Sequence, residues 1–131
     1  MEDWQRIAQC RAQGLCCAQT QVQMGLCWLG VDNEQLVQAS AGLCGGLHQG
    51  YACGALTGAA CMLALFDAQL AKDEMIAELT EWFLDAYGQD DSVDCRSLLQ
   101  GDNGNKRTLC PELIEQTCLA AKRILQRHGL L

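Results

Sequence analysis

Residues 42–61 read GLCGGLHQGYACGALTGAAC, and this stretch decides the fold. Its first nine residues hold four glycines, which permit backbone angles that a side chain disfavours. An apolar run then continues to Phe66 and predicts a helix that begins near Tyr51 or Ala52. In the first turn of such a helix, the free N–H groups and the macrodipole would stabilise the thiolate of Cys53.

Two further glycines, Gly54 and Gly58, lie inside this predicted helix. Each costs roughly 1 kcal/mol of helix stability relative to alanine, a cost that close approach of another backbone usually offsets. The pair therefore predicts tight packing here, either of a second helix or of a bound group.

The composition favours an all-α protein. Aromatic residues make up 5% of the 131 residues, and alanine, leucine, glutamine and glutamate are common. The length suits a single domain over residues 1–131. We expect a compact bundle of about five to six helices, with a central buried helix after the glycine-rich loop.

Apolar periodicity and helix punctuation give the boundaries of the expected helices. Asp32 is the expected N-cap of the third helix, and Ser92 that of a short helix. An acidic turn is expected at residues 89–91 and a helix stop at Gly101. The helices are predicted over residues 2–13, 16–29, 33–41, 52–66, 75–87 and 92–99, and from Pro111 to a frayed end at His128.

Charge and hydropathy exclude several classes of function. The formal net charge is −7 and the pI is near 4.6, whereas nucleic-acid-binding proteins gather lysine and arginine. The longest apolar run, residues 53–66, is shorter than the roughly 20 residues that a membrane span needs. The acidic amino terminus does not resemble a signal peptide. These features predict a soluble cytoplasmic protein with neither a nucleic-acid partner nor a membrane span.

Ten cysteines in this chain are the main chemical signal. In a reducing compartment, clustered cysteines indicate metal binding or redox chemistry more than a disulfide framework. The chain holds no Cys-x-x-Cys pair. This excludes a thioredoxin-type dithiol, a zinc ribbon and a covalent haem site.

Four of the cysteines fall at the predicted starts of four different helices. They are Cys17, Cys53, Cys95 and Cys110. If these helix starts converge, they form a site rich in backbone N–H donors. Such a site suits thiolates, or a negatively charged cluster that the thiolates hold.

The same four cysteines carry a family resemblance. Residues 53–58, Cys-Gly-Ala-Leu-Thr-Gly, resemble the Cys-Gly-Ala-x-x-Gly signature of the C_GCAxxG_C_C family of small redox-active proteins, which four cysteines define. The resemblance covers nearly the whole chain, from Cys17 to Cys110. Related domains occur in split-Soret cytochromes with an iron–sulfur centre. Because the haem motif is missing here, the resemblance implies the iron–sulfur half alone.

The remaining cysteines and histidines fit simpler interpretations. Four cysteines inside predicted helices are expected to pack as small apolar residues; they are Cys10, Cys27, Cys61 and Cys118. Cys16 points about 100° around the helix from Cys17 and is not an expected ligand. Cys44 and His48, in the glycine loop, are candidate extra ligands. His128 is expected at the surface.

Three hypotheses follow. In the first, Cys17, Cys53, Cys95 and Cys110 bind an iron–sulfur cluster ([2Fe–2S] or [4Fe–4S]) or another thiophilic metal, and the protein transfers electrons to an unidentified redox partner protein. In the second, the same cysteines work without metal as a thiol–disulfide couple. In the third, the protein is a non-catalytic helical interaction module. An electron carrier, an enzyme and a homodimer that shares the site all stay open.

Overall fold

A computed structural model describes residues 1–88, 92–100 and 102–131 of the protein. The acidic turn predicted at residues 89–91 and the helix stop predicted at Gly101 lie outside these ranges. Within them the backbone is helical, with turns between the helices and an isolated β-bridge between Ala52 and Asp94. The prediction of an all-α fold is confirmed.

The described residues form helices α1 to α8 and several short irregular turns. Short 3-10 turns cover Ala41–Leu43 and Asn103–Asn105, and π-type turns cover Gly46–Gly50 and Ala71–Met75. The helices are α1 (Asp3–Ala12), α2 (Cys17–Leu29), α3 (Glu34–Ser40), α4 (Gly54–Phe66), α5 (Ala68–Leu70), α6 (Ile76–Tyr87), α7 (Cys95–Leu98) and α8 (Lys106–Arg127).

Helix α4 occupies the centre of the core, as the apolar run after the glycine loop predicts. It packs against α2, α6 and α8. Because its side chains are apolar on nearly every face, the helix is most stable where neighbouring helices cover it on several sides. The residues of α4 buried here are Gly54, Ala55, Leu56, Gly58, Ala59, Met62 and Leu63.

Glycines set the distance between α2 and α4. A Cβ atom at Gly58 would lie 2.6 Å from the Cα atom of Ala18 in α2. At Gly25 in α2 it would lie 2.6 Å from the Cγ atom of Met62 in α4. Any larger residue at Gly58 would meet backbone, which cannot rotate away. The close approach predicted from Gly58 is therefore that of a second helix, whereas a Cβ atom at Gly54 would meet the sulfur of Cys17 and the backbone of Leu43 and Cys44.

Several helix starts differ from the sequence prediction. Helix α4 starts at Gly54 rather than at residue 52, and helix α7 starts at Cys95 with Asp94 rather than Ser92 as its N-cap residue. The N-cap of α3 is Asn33 rather than Asp32, because the Asn33 side chain accepts a 3.0 Å hydrogen bond from the N–H of Leu36. Helix α8 starts at Lys106 rather than Pro111, since the 3-10 turn Asn103–Asn105 leads directly into it.

Proline lacks an N–H group, and the amides of the first helical turn have no helical partner in any case. Because a proline in the first turn therefore costs no hydrogen bond, the sequence predicts that a helix starts at Pro111. In the fold it lies inside α8, at the sixth position, where it omits one helical hydrogen bond. Cys110 consequently lies in the second turn of α8 and not at its start.

Helix α6 follows its predicted apolar stripe. Leu79 and Phe83 are fully buried, and Phe83 packs against Tyr87 with ring centroids 5.7 Å apart. On its outer face, Glu78 accepts a hydrogen bond of 3.0 Å from His128 at the end of α8. The described helices include none that combines the length and the apolar character of a membrane span.

Candidate functional site

Four cysteines far apart in sequence line one cavity of about 390 Å³. Cys17 is the first residue of α2, Cys53 precedes α4, and Cys95 is the first residue of α7. Cys110 reaches the same cavity from the second turn of α8. The expectation that four helix starts converge is therefore right for three of these cysteines and wrong for Cys110.

Main-chain hydrogen bonds hold the segments of Cys53 and Cys95 together. The N–H of Cys53 donates to the carbonyl of Val93 at 2.8 Å, and the N–H of Cys95 donates to the carbonyl of Tyr51 at 2.7 Å. These two bonds flank the antiparallel bridge between Ala52 and Asp94. In this register Cys53 lies opposite Val93 and Cys95 lies opposite Tyr51, so the backbone makes the two cysteines diagonal neighbours across the bridge.

The Cys53 and Cys95 thiols act on each other, so that the pKa of Cys95 is lowered and that of Cys53 is raised. The hydrogen bond from the Cys53 thiol lowers the pKa of Cys95 to about 6. The N–H of Gly54, at the start of α4, and the positive charge of Lys106 lower it further, while burial and Asp94 oppose them. Cys95 is half-buried and reachable by a reagent, so it has the features of an attacking thiolate.

Cys53 has the opposite electrostatic environment. The hydrogen bond to Cys95 and then burial raise the pKa of Cys53, and the N–H groups of Ala55 and Leu56 counteract this only in part. Only 4% of Cys53 is exposed. Because the Cys95 thiolate is the largest cause of the raised pKa, any reaction that removes the charge on Cys95 makes Cys53 more acidic.

The other two cysteines of the cavity are also half-buried. The sulfur of Cys17 lies against Gly54, where a Cβ atom would overlap it. Burial raises the pKa of the Cys110 thiol, and the neighbouring Cys17 and Cys95 raise it further. Because Gly54 has no side chain, it leaves space for the sulfur of Cys17, and its N–H interacts with the sulfur of Cys95.

A disulfide bond joins Cys16 to Cys44 at the rim of the same cavity, with Cα atoms 6.1 Å apart. Sequence reasoning missed this bond. The sequence makes Cys44 a candidate further ligand, but in the structure its sulfur is bonded to that of Cys16. No spacing rule pairs these two among ten cysteines, because the bond depends on how the glycine loop folds back over the start of α2.

The glycine loop contains a run of left-handed residues over Gly45, Gly46, Leu47 and His48. Leu47 has φ 61° and His48 has φ 57°, values that cost roughly 1–2 kcal/mol for each residue with a side chain. The His48 ring hydrogen-bonds the carbonyl oxygen of Ala41 at 3.0 Å. This turn presents His48 at the cavity rim, and strained backbone of this kind concentrates at functional sites.

A metal ion or an iron–sulfur cluster needs several donor side chains around one point. Among the described residues, no three His, Cys, Asp or Glu side chains are arranged to hold a metal ion. This arrangement does not fit a preformed metal site, so the ligand roles of Cys17, Cys53, Cys95 and Cys110, and of His48, stay a prediction.

The cysteines expected to serve only in packing differ in exposure. Cys10 and Cys118 are buried in the core, Cys27 is half-buried, and Cys61 is exposed on α4. Burial raises the pKa of Cys10 and of Cys118, which keeps both thiols protonated. None of these four lines the four-cysteine cavity.

Residues 15–124 match the family described as "Putative redox-active protein (C_GCAxxG_C_C)". The matched range contains Cys17, Cys53, Cys95 and Cys110 and extends over most of the chain. Searches of the curated proteins and of the solved structures give no significant match.

Proposed function

Because the chain belongs to the C_GCAxxG_C_C family of redox-active proteins, we propose that it is a thiol–disulfide redox protein in which Cys95 attacks and Cys53 resolves. The observation that carries the proposal is the position of Cys53 and Cys95, which the main-chain hydrogen bonds of the Ala52–Asp94 bridge hold near each other and which line the same cavity. Cys17 and Cys110 line the same cavity, within reach of an incoming group.

In the first step the Cys95 thiolate attacks one sulfur of a substrate disulfide. A bond forms between Cys95 Sγ and that sulfur, the substrate S–S bond breaks, and the departing thiolate takes a proton from water. The negative charge of Cys95 is thereby lost, and with it the main cause of the raised pKa of Cys53.

In the second step Cys53 attacks the Cys95 sulfur of the mixed disulfide. The N–H groups of Ala55 and Leu56 at the start of α4 stabilise the Cys53 thiolate as it forms. A Cys53–Cys95 disulfide results, and the second half of the substrate leaves as a thiol with the proton of Cys53. The dithiol has given two electrons to the substrate, and a second thiol compound must return them.

Serine variants test the order of these steps. Reduced Cys53→Ser protein treated with a small disulfide should accumulate a mixed disulfide on Cys95, because the thiol assigned to resolve it is absent. Cys95→Ser should form no such adduct at the pair and should react at least about tenfold more slowly. Peptide mass spectrometry under non-reducing conditions identifies each adduct. Equal trapping on both cysteines would contradict the assigned roles, and no reaction at either would contradict the proposal.

The iron–sulfur or metal-binding function remains the second candidate, supported by four thiols lining one cavity. If a cluster binds, Cys17, Cys53, Cys95 and Cys110 would hold it, and it would supply one-electron transfer. Protein purified without oxygen distinguishes the two functions. A brown preparation with stoichiometric iron supports the cluster, whereas colourless protein whose thiol count falls in pairs on mild oxidation supports the dithiol.

A further inference from the structure

A second cavity of about 490 Å³ adjoins the first, and Cys95 lines both. It lies between the glycine loop, which contributes Gly45 and His48, and the helices α7 and α8, which contribute Arg96 and Lys106. Its volume is within the range of about 300–1,000 Å³ that is typical of small-molecule pockets. The attacking sulfur thus borders a separate space large enough for a small ligand.

The charges around these two cavities oppose the charge of the whole protein. The chain has 9 Lys and Arg against 16 Asp and Glu. Among the described residues, the linings of the two cavities nevertheless include Arg11, Arg96 and Lys106 but no Asp or Glu. Asp94 is near enough to act on Cys95 but does not line either space. We call the two adjoining cavities together the basic cleft. A basic cleft in an acidic protein favours the binding of negatively charged ligands.

A hydrogen bond holds the Arg96 side chain in place at the cavity. Arg96 donates a hydrogen bond of 3.0 Å to the carbonyl oxygen of Gln49, which fixes its guanidinium group against the glycine loop. Gly50 permits this contact, since a Cβ atom there would lie 3.3 Å from the Arg96 side chain. Within the described residues, neither Arg96 nor Lys106 forms an ion pair with a carboxylate.

We infer that this basic cleft binds a small disulfide that carries carboxylate groups, and that it presents one sulfur of that disulfide to Cys95. The inference rests on the proposed function and adds the substrate class to it. Lys106 and Arg96 pair with the carboxylates, while Cys95 forms the bond to sulfur. Electrons and protons then balance as in the two steps above, with the small disulfide reduced to two thiols and the Cys53–Cys95 pair oxidised.

Three small disulfides of similar length test the inference. They are 3,3′-dithiodipropionate, which is dianionic, 2-hydroxyethyl disulfide, which is neutral, and cystamine, which is dicationic. The rate of Cys53–Cys95 disulfide formation in the reduced protein is measured by quenching and peptide mass spectrometry. We expect the dianion to react about tenfold or more faster than the dication at low salt, and this ratio to shrink toward one near 1 M salt.

Two charge-reversal variants distinguish the effect of the cleft's charges on the rate from the effect of the protein's net charge. Lys106→Glu should reduce the advantage of the dianion several-fold. Arg123→Glu makes the same change in net charge on the same helix, at an exposed position that lines neither cavity, and should leave the ratio unchanged. Equal loss in both variants would show that only net charge matters and would overturn the inference.

The failure of the inference differs from the failure of the proposed function. If all three disulfides oxidise the pair at equal rates, the proposed function holds and the charge selection is wrong. If none oxidises it, the proposed function is wrong, and the cleft is tested alone by NMR titration of 3,3′-dithiodipropionate into a Cys53→Ser, Cys95→Ser protein. Shifts at His48 and Arg96 that Lys106→Glu abolishes would support the cleft, and their absence would overturn it.

Discussion

The N–H of Cys95 donates a hydrogen bond of 2.7 Å to the carbonyl oxygen of Tyr51, two residues before Cys53. The N–H of Cys53 donates a second hydrogen bond to the carbonyl oxygen of Val93, so main-chain hydrogen bonds hold the two cysteine-bearing segments together. Replacing either sulfur therefore leaves the alignment of the two segments in place. Variants at the two cysteines accordingly report on chemistry more than on folding.

The low pKa of Cys95 predicts the pH dependence of its alkylation. A thiolate reacts and a thiol does not, so the rate at Cys95 should rise as the pH increases and reach half its maximum near pH 6. Above about pH 7.5 the rate should be nearly constant, whereas an ordinary thiol, with a pKa of about 8.5, is still gaining reactivity there. Iodoacetamide labelling followed by mass spectrometry of the Cys95 peptide measures this profile. A midpoint above pH 8 would contradict the assignment.

Removal of the hydrogen bond from Cys53 should raise that midpoint. Cys53→Ala takes away the largest cause of the lowered pKa of Cys95 and leaves the Gly54 N–H and Lys106 in place. The alkylation midpoint should move upward toward the ordinary value while staying below it. Cys17→Ala removes a different thiol from the same cavity and serves as the control, with no expected change at Cys95. An equal upward shift in both variants would contradict the specific role of Cys53.

Loss of the Cys16–Cys44 bond should reduce stability without removing the reactive pair. The bond closes a loop of 28 residues, for which the chain-entropy relation gives about 3–4 kcal/mol. Cys44→Ser should therefore lower the free energy of unfolding in denaturant by about that amount in the absence of reductant. In reductant, the wild type should fall to the level of the variant. A persistent difference in reductant would mean that Cys44 contributes packing as well as the bond.

The contact between α2 and α4 predicts a large difference between two glycine-to-alanine changes. Gly58→Ala places a methyl group against the backbone of Ala18 and should destabilise the protein by about 2–3 kcal/mol. Gly42→Ala meets no atom within 4 Å and needs no positive φ, so it should change stability by less than about 0.5 kcal/mol. Thermal and denaturant unfolding measure both. Similar losses would mean that the helices can separate at little cost.

Much of the fold follows from local sequence signals. The 3.6-residue stripe of α6, the apolar run of α4 and the glycines between helices are short-range patterns, and the structure follows them closely. The glycine pair Gly54 and Gly58 even predicts a tertiary contact, because a residue so costly in a helix implies a close neighbour.

The details of the site depend on contacts that no local pattern encodes. Cys53 and Cys95 come together through an isolated bridge between two segments, one of which precedes α4 in the sequence while the other follows α6. The Cys16–Cys44 bond and the start of α8 before Pro111 are likewise set by how the chain folds back on itself. The sequence positions of the four cysteines indicate the site, but their spacing does not predict which of them lie next to each other.

The bridge between Ala52 and Asp94 has a thermodynamic consequence for the reactive pair. The native fold holds the two sulfurs at a high effective concentration, which favours their covalent union, whereas the thiolate on Cys95 favours the reduced form. Because folding and oxidation form one thermodynamic cycle, any change that loosens the native bridge also shifts the reduction potential. The redox poise of this protein is accordingly a property of its tertiary structure and would be lost on unfolding.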